Sequence, residues 1–186
     1  MSETRKSSGA NPKLRRAART SAVQALYQME LSADSSNAVV KQFLDHRFGH
    51  EDEPGMIVAD EDFFEDIIRG AVRFQDDIDA AISAKLPEKW PLRRLDMTLR
   101  AVLRSGAYEI LRRPDIPALV IISEYVKVAG SFFDGKEPGM VNAVIEAVAK
   151  QARGAEFGII GEAIPQSADL SEATVSPSED TKANTE

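Results

Sequence analysis

No cysteine occurs among the 186 residues. Disulfides, thiolate metal sites and a cysteine nucleophile are therefore excluded, and a reducing cytosol is allowed. Histidine is nearly as scarce, at two residues, and tryptophan occurs once. No apolar run approaches the roughly 20 residues that a membrane-spanning helix requires. The opening MSETRKSSGANPK has basic residues with no apolar stretch behind them, so no secretory signal is visible and a cytoplasmic location is expected. Phosphate-cradling loops are missing too: Gly135 and Gly139 flank a loop with neither GK[ST] nor GxGxxG. There is no Gly-x-Ser-x-Gly elbow either.

What is present is 43% hydrophobic and 28% charged, enough for one ordinary core or two small ones plus tails. A net charge of −7 argues against nucleic-acid binding until its distribution is read. Residues 1–19 hold Arg5, Lys6, Lys13, Arg15, Arg16 and Arg19 against Glu3 alone. Residues 154–186 hold Glu156, Glu162, Asp169, Glu172, Glu179, Asp180 and Glu186 against Lys182 alone. One acidic end thus supplies nearly all of the net charge and masks a basic one, an asymmetry that points to nucleic-acid contact or a solvating tail. The composition predicts a disordered basic arm over residues 1–11 and a disordered acidic tail over 154–186. Gly158–Ile160 is a short apolar exception in that tail, able to dock on the body.

Between these ends every strong pattern is helical. Leu14, Ala18, Ala22, Ala25, Leu26 and Met29 share one face of a first helix. Val40, Phe43, Leu44 and Phe48 mark a shorter second one, and HEDEPGMIVAD reads as a loop. DEDFFEDIIRGAVRFQDDIDAAISAKL reads as a single long amphipathic helix with acids at its start. Pro87 and Pro91 end it, and Trp90 between them is expected to pack at a junction. Leu99, Val102, Leu103, Gly106, Ala107 and Ile110 define the next helix. Asp115 and Pro117 restart the chain near a cap, Ile121, Ile122, Tyr125, Val126 and Ala129 carry the helix after it, SFFDGKEPG is a loop, and Val141, Val144, Ile145 and Val148 carry the last. VIISEYVKV is strand-like in composition, but no alternating run elsewhere supplies a partner. The expectation is an all-α fold of six to seven helices in two small sub-bundles, about residues 12–86 and 92–153.

Catalysis finds little support. His46 and His50 are spaced i, i+4, a metal-binding spacing, yet they straddle Phe48-Gly49 and have no third ligand at a recognised spacing. The Asp76, Asp77, Asp79 cluster lies on the polar face of an amphipathic helix, where solvated acids are the default. No enzyme, metal or cofactor is expected. A helix-turn-helix is also disfavoured, because GMVNAVIEAVAKQAR offers few side chains to read a groove.

The first helix is different. PKLRRAARTSAVQALYQMEL puts Arg15, Arg16 and Arg19 in the opening turns, where cations oppose the helix macrodipole. Something negative is therefore expected beside them in the working state. Thr20, Val23 and Tyr27 continue the stripe that Arg16 begins. An aromatic ring ~16 Å along the axis from the arginines could stack an unpaired base while they hold phosphates. Arginines that merely solubilise a helix start, with Tyr27 at the edge of the core, fit the same residues.

RRAARTSAVQALYQMELS resembles the opening helix of the NusB family of bacterial transcription antitermination factors. LRAVLRSGAYEILRRPDIPALVIISEYVKVAGSFFDGKEPGMVNAVIEAVAK resembles that family's C-terminal half, and the likeness runs in order over about residues 13–150. It implies an all-helical fold of two sub-bundles and no catalysis. It further implies binding, together with NusE (also a small-subunit ribosomal protein), to boxA, a short single-stranded RNA element of ribosomal RNA operon leaders. That complex joins NusA, NusG and RNA polymerase and suppresses premature termination. Carried over by position, the RNA-binding residues are Arg15, Arg16 and Arg19, supported by Lys13 and Tyr27, with Lys136 and Asn142 around the start of the last helix. The chain departs from the family pattern at Ser123-Glu124, where Asn-Glu is usual, and at Met140-Val141-Asn142-Ala143, where Phe-Val-Asn-Gly is usual. A helical protein-docking module with no RNA role is the alternative, and homodimerisation through an exposed face is compatible with either.

Overall fold

The computed structural model describes residues 11–49 and 54–159. The chain forms α1 (Pro12–Ser32), α2 (Ser36–His46), α3 (Glu61–Arg73), α4 (Gln75–Ser83), α5 (Met97–Arg112), α6 (Ala118–Gly130) and α7 (Glu137–Ala152), with 3₁₀ turns at Leu92–Arg94 and Gly154–Phe157. Among the described residues β-structure is confined to one bridge between Phe48 and Ile57. None of the helices described is long and apolar enough to cross a membrane.

The helix boundaries follow local chemistry. Asn11 caps α1 by accepting from the Lys13 amide at 3.0 Å. Asp60 caps α3 through the Phe63 amide, and Asp96 caps α5 through the Thr98 and Leu99 amides, each satisfying donors that a helix start leaves open. α6 is capped differently from the expectation. Asp115 is taken by Arg113, and Glu156 of the second 3₁₀ turn reaches back 38 residues to accept from the Ala118 amide at 2.8 Å. The first residues of the expected acidic tail therefore belong to the body. Ile159 of the apolar exception remains 47% exposed. Residues 1–10, 50–53, which include His50 of the histidine pair, and 160–186 lie outside the described residues.

α5 is the axis of the fold. It packs against α1, α3, α4, α6 and α7, and eleven of its sixteen residues are buried, more than one amphipathic face supplies. α1, α2 and α3 pack together on one side of it, and α6 and α7 on another. Phe43, Phe48 and Phe64 form an aromatic cluster beneath α2, with centroids 4.9–6.1 Å apart.

Three expectations are corrected. The long helix breaks at Phe74, whose backbone leaves helical geometry (φ −110, ψ 24), so that α4 turns onto α5 and α7. The Phe74 ring lies 4.1 Å beneath the Arg112 guanidinium, and Asp77 and Asp79 bind Arg112 and Arg104 of α5. Two of the three acids of the cluster thus clamp α4 to α5 rather than lying solvated. Trp90 does not pack in the junction: it is 48% exposed, and Leu92 takes the buried position.

α3 meets α5 where Gly70 lies against Tyr108, whose hydroxyl donates to Asp66 at 3.1 Å. A Cβ on residue 70 overlaps the Tyr108 ring. Gly70→Ala should therefore destabilise the protein by about 2–3 kcal/mol through overpacking, measurable as a lowered urea midpoint with unchanged m-value.

Candidate nucleic-acid interface

α1 has no acid in its first turn. The three arginines that oppose its dipole are answered instead by carboxylates from three other helices, and each arginine ends in a different environment.

Arg19 is in the core. Its side chain is 3% exposed and that of Glu109 is 0% exposed. Nε donates to Oε1 at 2.9 Å and Nη2 to Oε2 at 2.7 Å. The Tyr125 hydroxyl donates to the same Oε1 at 2.7 Å. Burial and the neighbouring Glu109 charge push the Tyr125 phenol well above its ordinary range, so it remains a neutral donor. Phe63 and Tyr125 flank the guanidinium with ring centroids 5.0 and 5.9 Å away. Arg19, which the family resemblance marks as RNA-binding, is thus withdrawn from solvent, and both oxygens of a buried carboxylate hold it.

Arg16 is at the surface, its side chain 44% exposed. Nε and Nη2 each donate at 2.8 Å to the two oxygens of Glu124 on α6, and Lys127, one turn further along α6, donates to the same carboxylate at 2.8 Å. The Arg16 hydrogen bonds, aided by Lys127 and opposed by burial, hold the Glu124 carboxyl down to about 2. Arg15 points the other way, over the Phe63 ring at 4.7 Å, with Nε 3.6 Å from Asp60, the cap of α3; that Nε is buried without a hydrogen-bond partner. Lys13 is exposed.

Tyr27 is half-buried and lines a groove of about 410 Å³ with Gln24, Gln28, Leu31, Arg47, Thr98 and Phe132. Phe132 sits on the segment between α6 and α7, at whose far end Lys136 is exposed. Asn142 is exposed on α7 and makes a long 3.4 Å bond to Glu146. The structure thus brings Arg16 and Lys127 together through Glu124, with Lys13 and Tyr27 on the same helix as Arg16, while Lys136 immediately precedes α7 and Asn142 lies on it, and α7 packs on α5 and α6. Sequence reading missed Glu124 and Lys127. Their i, i+3 spacing on α6 was visible, but nothing local ties them to a residue 108 positions away.

Stability should follow this sorting. Removing one partner of a buried ion pair strands the other charge, so Arg19→Ala or Glu109→Gln should cost about 3–5 kcal/mol. Arg16→Ala should cost about 1 kcal/mol or less. Urea unfolding of the three variants checks the ranking. The Glu124 carboxyl is depressed in the folded state, so its contribution is full above the ordinary glutamate range and is lost as pH falls from about 4.5 through about 2. The wild type should therefore lose more stability over that window than Glu124→Gln, by about 1 kcal/mol because solvent screens the exposed Arg16, read from denaturation midpoints at stepped pH.

An all-helical module with a cationic, carboxylate-held face is the class that fold and site define. The NusB family model matches residues 16–150, and the chain belongs to the NusB family. It is 52% identical over 146 residues to the transcription antitermination protein NusB of Maricaulis maris, covering 78% of this chain and 91% of that protein. To that of Caulobacter vibrioides it is 48% identical over 140 residues, covering 75% and 94%. Among solved structures, T. maritima NusB superposes with a TM-score of 0.64 at 30% identity, covering 80% of this chain and 99% of that one. A chain from the crystal structure of antitermination factors NusB and NusE in complex with dsRNA has a TM-score of 0.63 at 22% identity, a likeness of fold.

Proposed function

We propose that this protein is a transcription antitermination factor. In this reading it binds boxA single-stranded RNA of ribosomal RNA operon transcripts together with NusE, and acts with NusA, NusG and RNA polymerase to resist termination in the cytoplasm. It works by binding and needs neither catalysis nor a cofactor. Family membership supports the reading. The observation that carries it is the α1–α6 face, where the outer edge of Arg16 and Lys127 are exposed around one carboxylate, with Lys13 exposed three residues before Arg16 on α1. Tyr27 then offers a ring for an unpaired base.

The face is only mildly positive, because Glu124 offsets one of its cations. RNA affinity of the protein alone should therefore be weak, and a partner that adds its own RNA contacts should raise it. Fluorescence anisotropy of labelled boxA RNA over a salt series, with and without NusE, tests this. The expected result is tighter binding with NusE to boxA and not to a scrambled strand. The salt slope should be about −2, as about three phosphate contacts on a single strand give. Arg16→Ala and Lys13→Ala should each weaken binding about 3- to 10-fold while circular dichroism stays unchanged. Equal binding to boxA and scrambled RNA would refute the RNA role and leave a protein-docking module.

A further inference from the structure

Glu124 places a negative charge at the centre of a cationic face, where a surface built only to attract RNA has no use for it. Its carboxylate takes Arg16 side-on, through Nε and Nη2 at 2.8 Å each. A guanidinium carries five N–H bonds in one plane. This pairing uses two of them and leaves the Nη1–Nη2 end as a second two-pronged edge, on a side chain that is 44% exposed. Lys127 anchors the same carboxylate from α6 at 2.8 Å. The backbone beneath is fixed as well, because three residues on from Arg16 the Arg19 side chain is locked to Glu109.

We propose that Glu124 is a positioning residue for RNA: it holds the outer N–H edge of Arg16 in the orientation that grips one backbone phosphate through two hydrogen bonds. The inference rests on the RNA-binding reading above. A free arginine must give up rotamer freedom when it binds, whereas one already held has given it up on folding, a difference of about 3- to 10-fold in affinity.

The sign of the effect separates positioning from charge. Glu124→Gln removes a negative charge beside the RNA, so Coulomb attraction alone makes binding tighter; positioning makes it weaker. The test uses labelled boxA RNA and the full chain, with NusE, over a salt series. Glu124→Gln should weaken binding about 3- to 10-fold, and should have no further effect in an Arg16→Ala background. Arg16→Lys leaves the buried glutamate in place, so it reports even where Glu124→Gln lowers stability. It keeps the charge but cannot make the side-on pair, and should weaken binding as much as Arg16→Ala. In the free protein, the Arg16 Nε–H signal in NMR should be ordered and slow to exchange, and should become mobile in Glu124→Gln. Binding by Glu124→Gln at wild-type strength or tighter, Arg16→Lys behaving as wild type, or a mobile Arg16 in the wild type would each overturn the inference. Failure of the underlying RNA reading has a different signature: a wild type that does not distinguish boxA from scrambled RNA at any salt.

Discussion

The buried pairing of Arg19 with Glu109 sets the geometry on which the rest of the molecule depends. Both groups are withdrawn from water, a step that costs several kcal/mol per ion and is repaid only by close, complete hydrogen bonding. Two guanidinium bonds and the Tyr125 hydroxyl provide it. The pair fixes the rotation of α1 against α5. On a helix of 3.6 residues per turn, Arg15 lies about 40° to one side of Arg19 and Arg16 about 60° to the other. With Arg19 aimed at α5, Arg15 must face α3 and Arg16 must face α6. Their carboxylate partners, Asp60 and Glu124, are found on those two sides.

This arrangement also explains how α1 tolerates cations at its positive end. The dipole penalty is about 0.3–1 kcal/mol per exposed charge and is screened by solvent. The carboxylate partners offset a penalty of that size. The negative counterpart that the sequence calls for is therefore largely internal. Three carboxylates from α3, α5 and α6 replace the acids missing from the first turn of α1, and they tie three helices to it. What is left for a ligand is the part of the cationic charge these acids do not consume: Lys13, Lys127 and the outer edge of Arg16.

The helices, their order and most core faces were legible because a 3.6-residue period is a local property. Ala18, Ala22 and Ala25 were placed on the buried face of α1 and are buried, and VIISEYVKV is helical as its setting required. The errors concern depth and long-range pairing. Arg19 was grouped with Arg15 and Arg16 because charge suggests surface; its partner is 90 residues away. A signal did exist, since Glu109 stands among Ala107, Tyr108 and Ile110, all buried, and an acid there demands a cation. The position of Trp90 between Pro87 and Pro91 points to a junction, yet its amide closes a turn onto the Pro87 carbonyl, the ring stays half exposed and Leu92 is buried nearby. The break at Phe74 has no proline or glycine beside it. It depends on α4 finding α5, which only the folded chain supplies.

Stability and recognition are thus divided within one turn of α1. Arg19 and Arg16 are three residues apart and make the same side-on contact with a glutamate, yet burial gives them opposite duties. In the dry site the pair holds helices together and no edge is left for a ligand. At the rim, water screens the pair, so its contribution to folding is small, and the unused edge faces outward. A chemically identical contact is therefore a structural pin at 3% exposure and, in the RNA-binding reading proposed above, a holder for a ligand-binding group at 44%. The three-residue offset is what makes the division work, because the pin at Arg19 sets where Arg16 stands whether or not a ligand is bound.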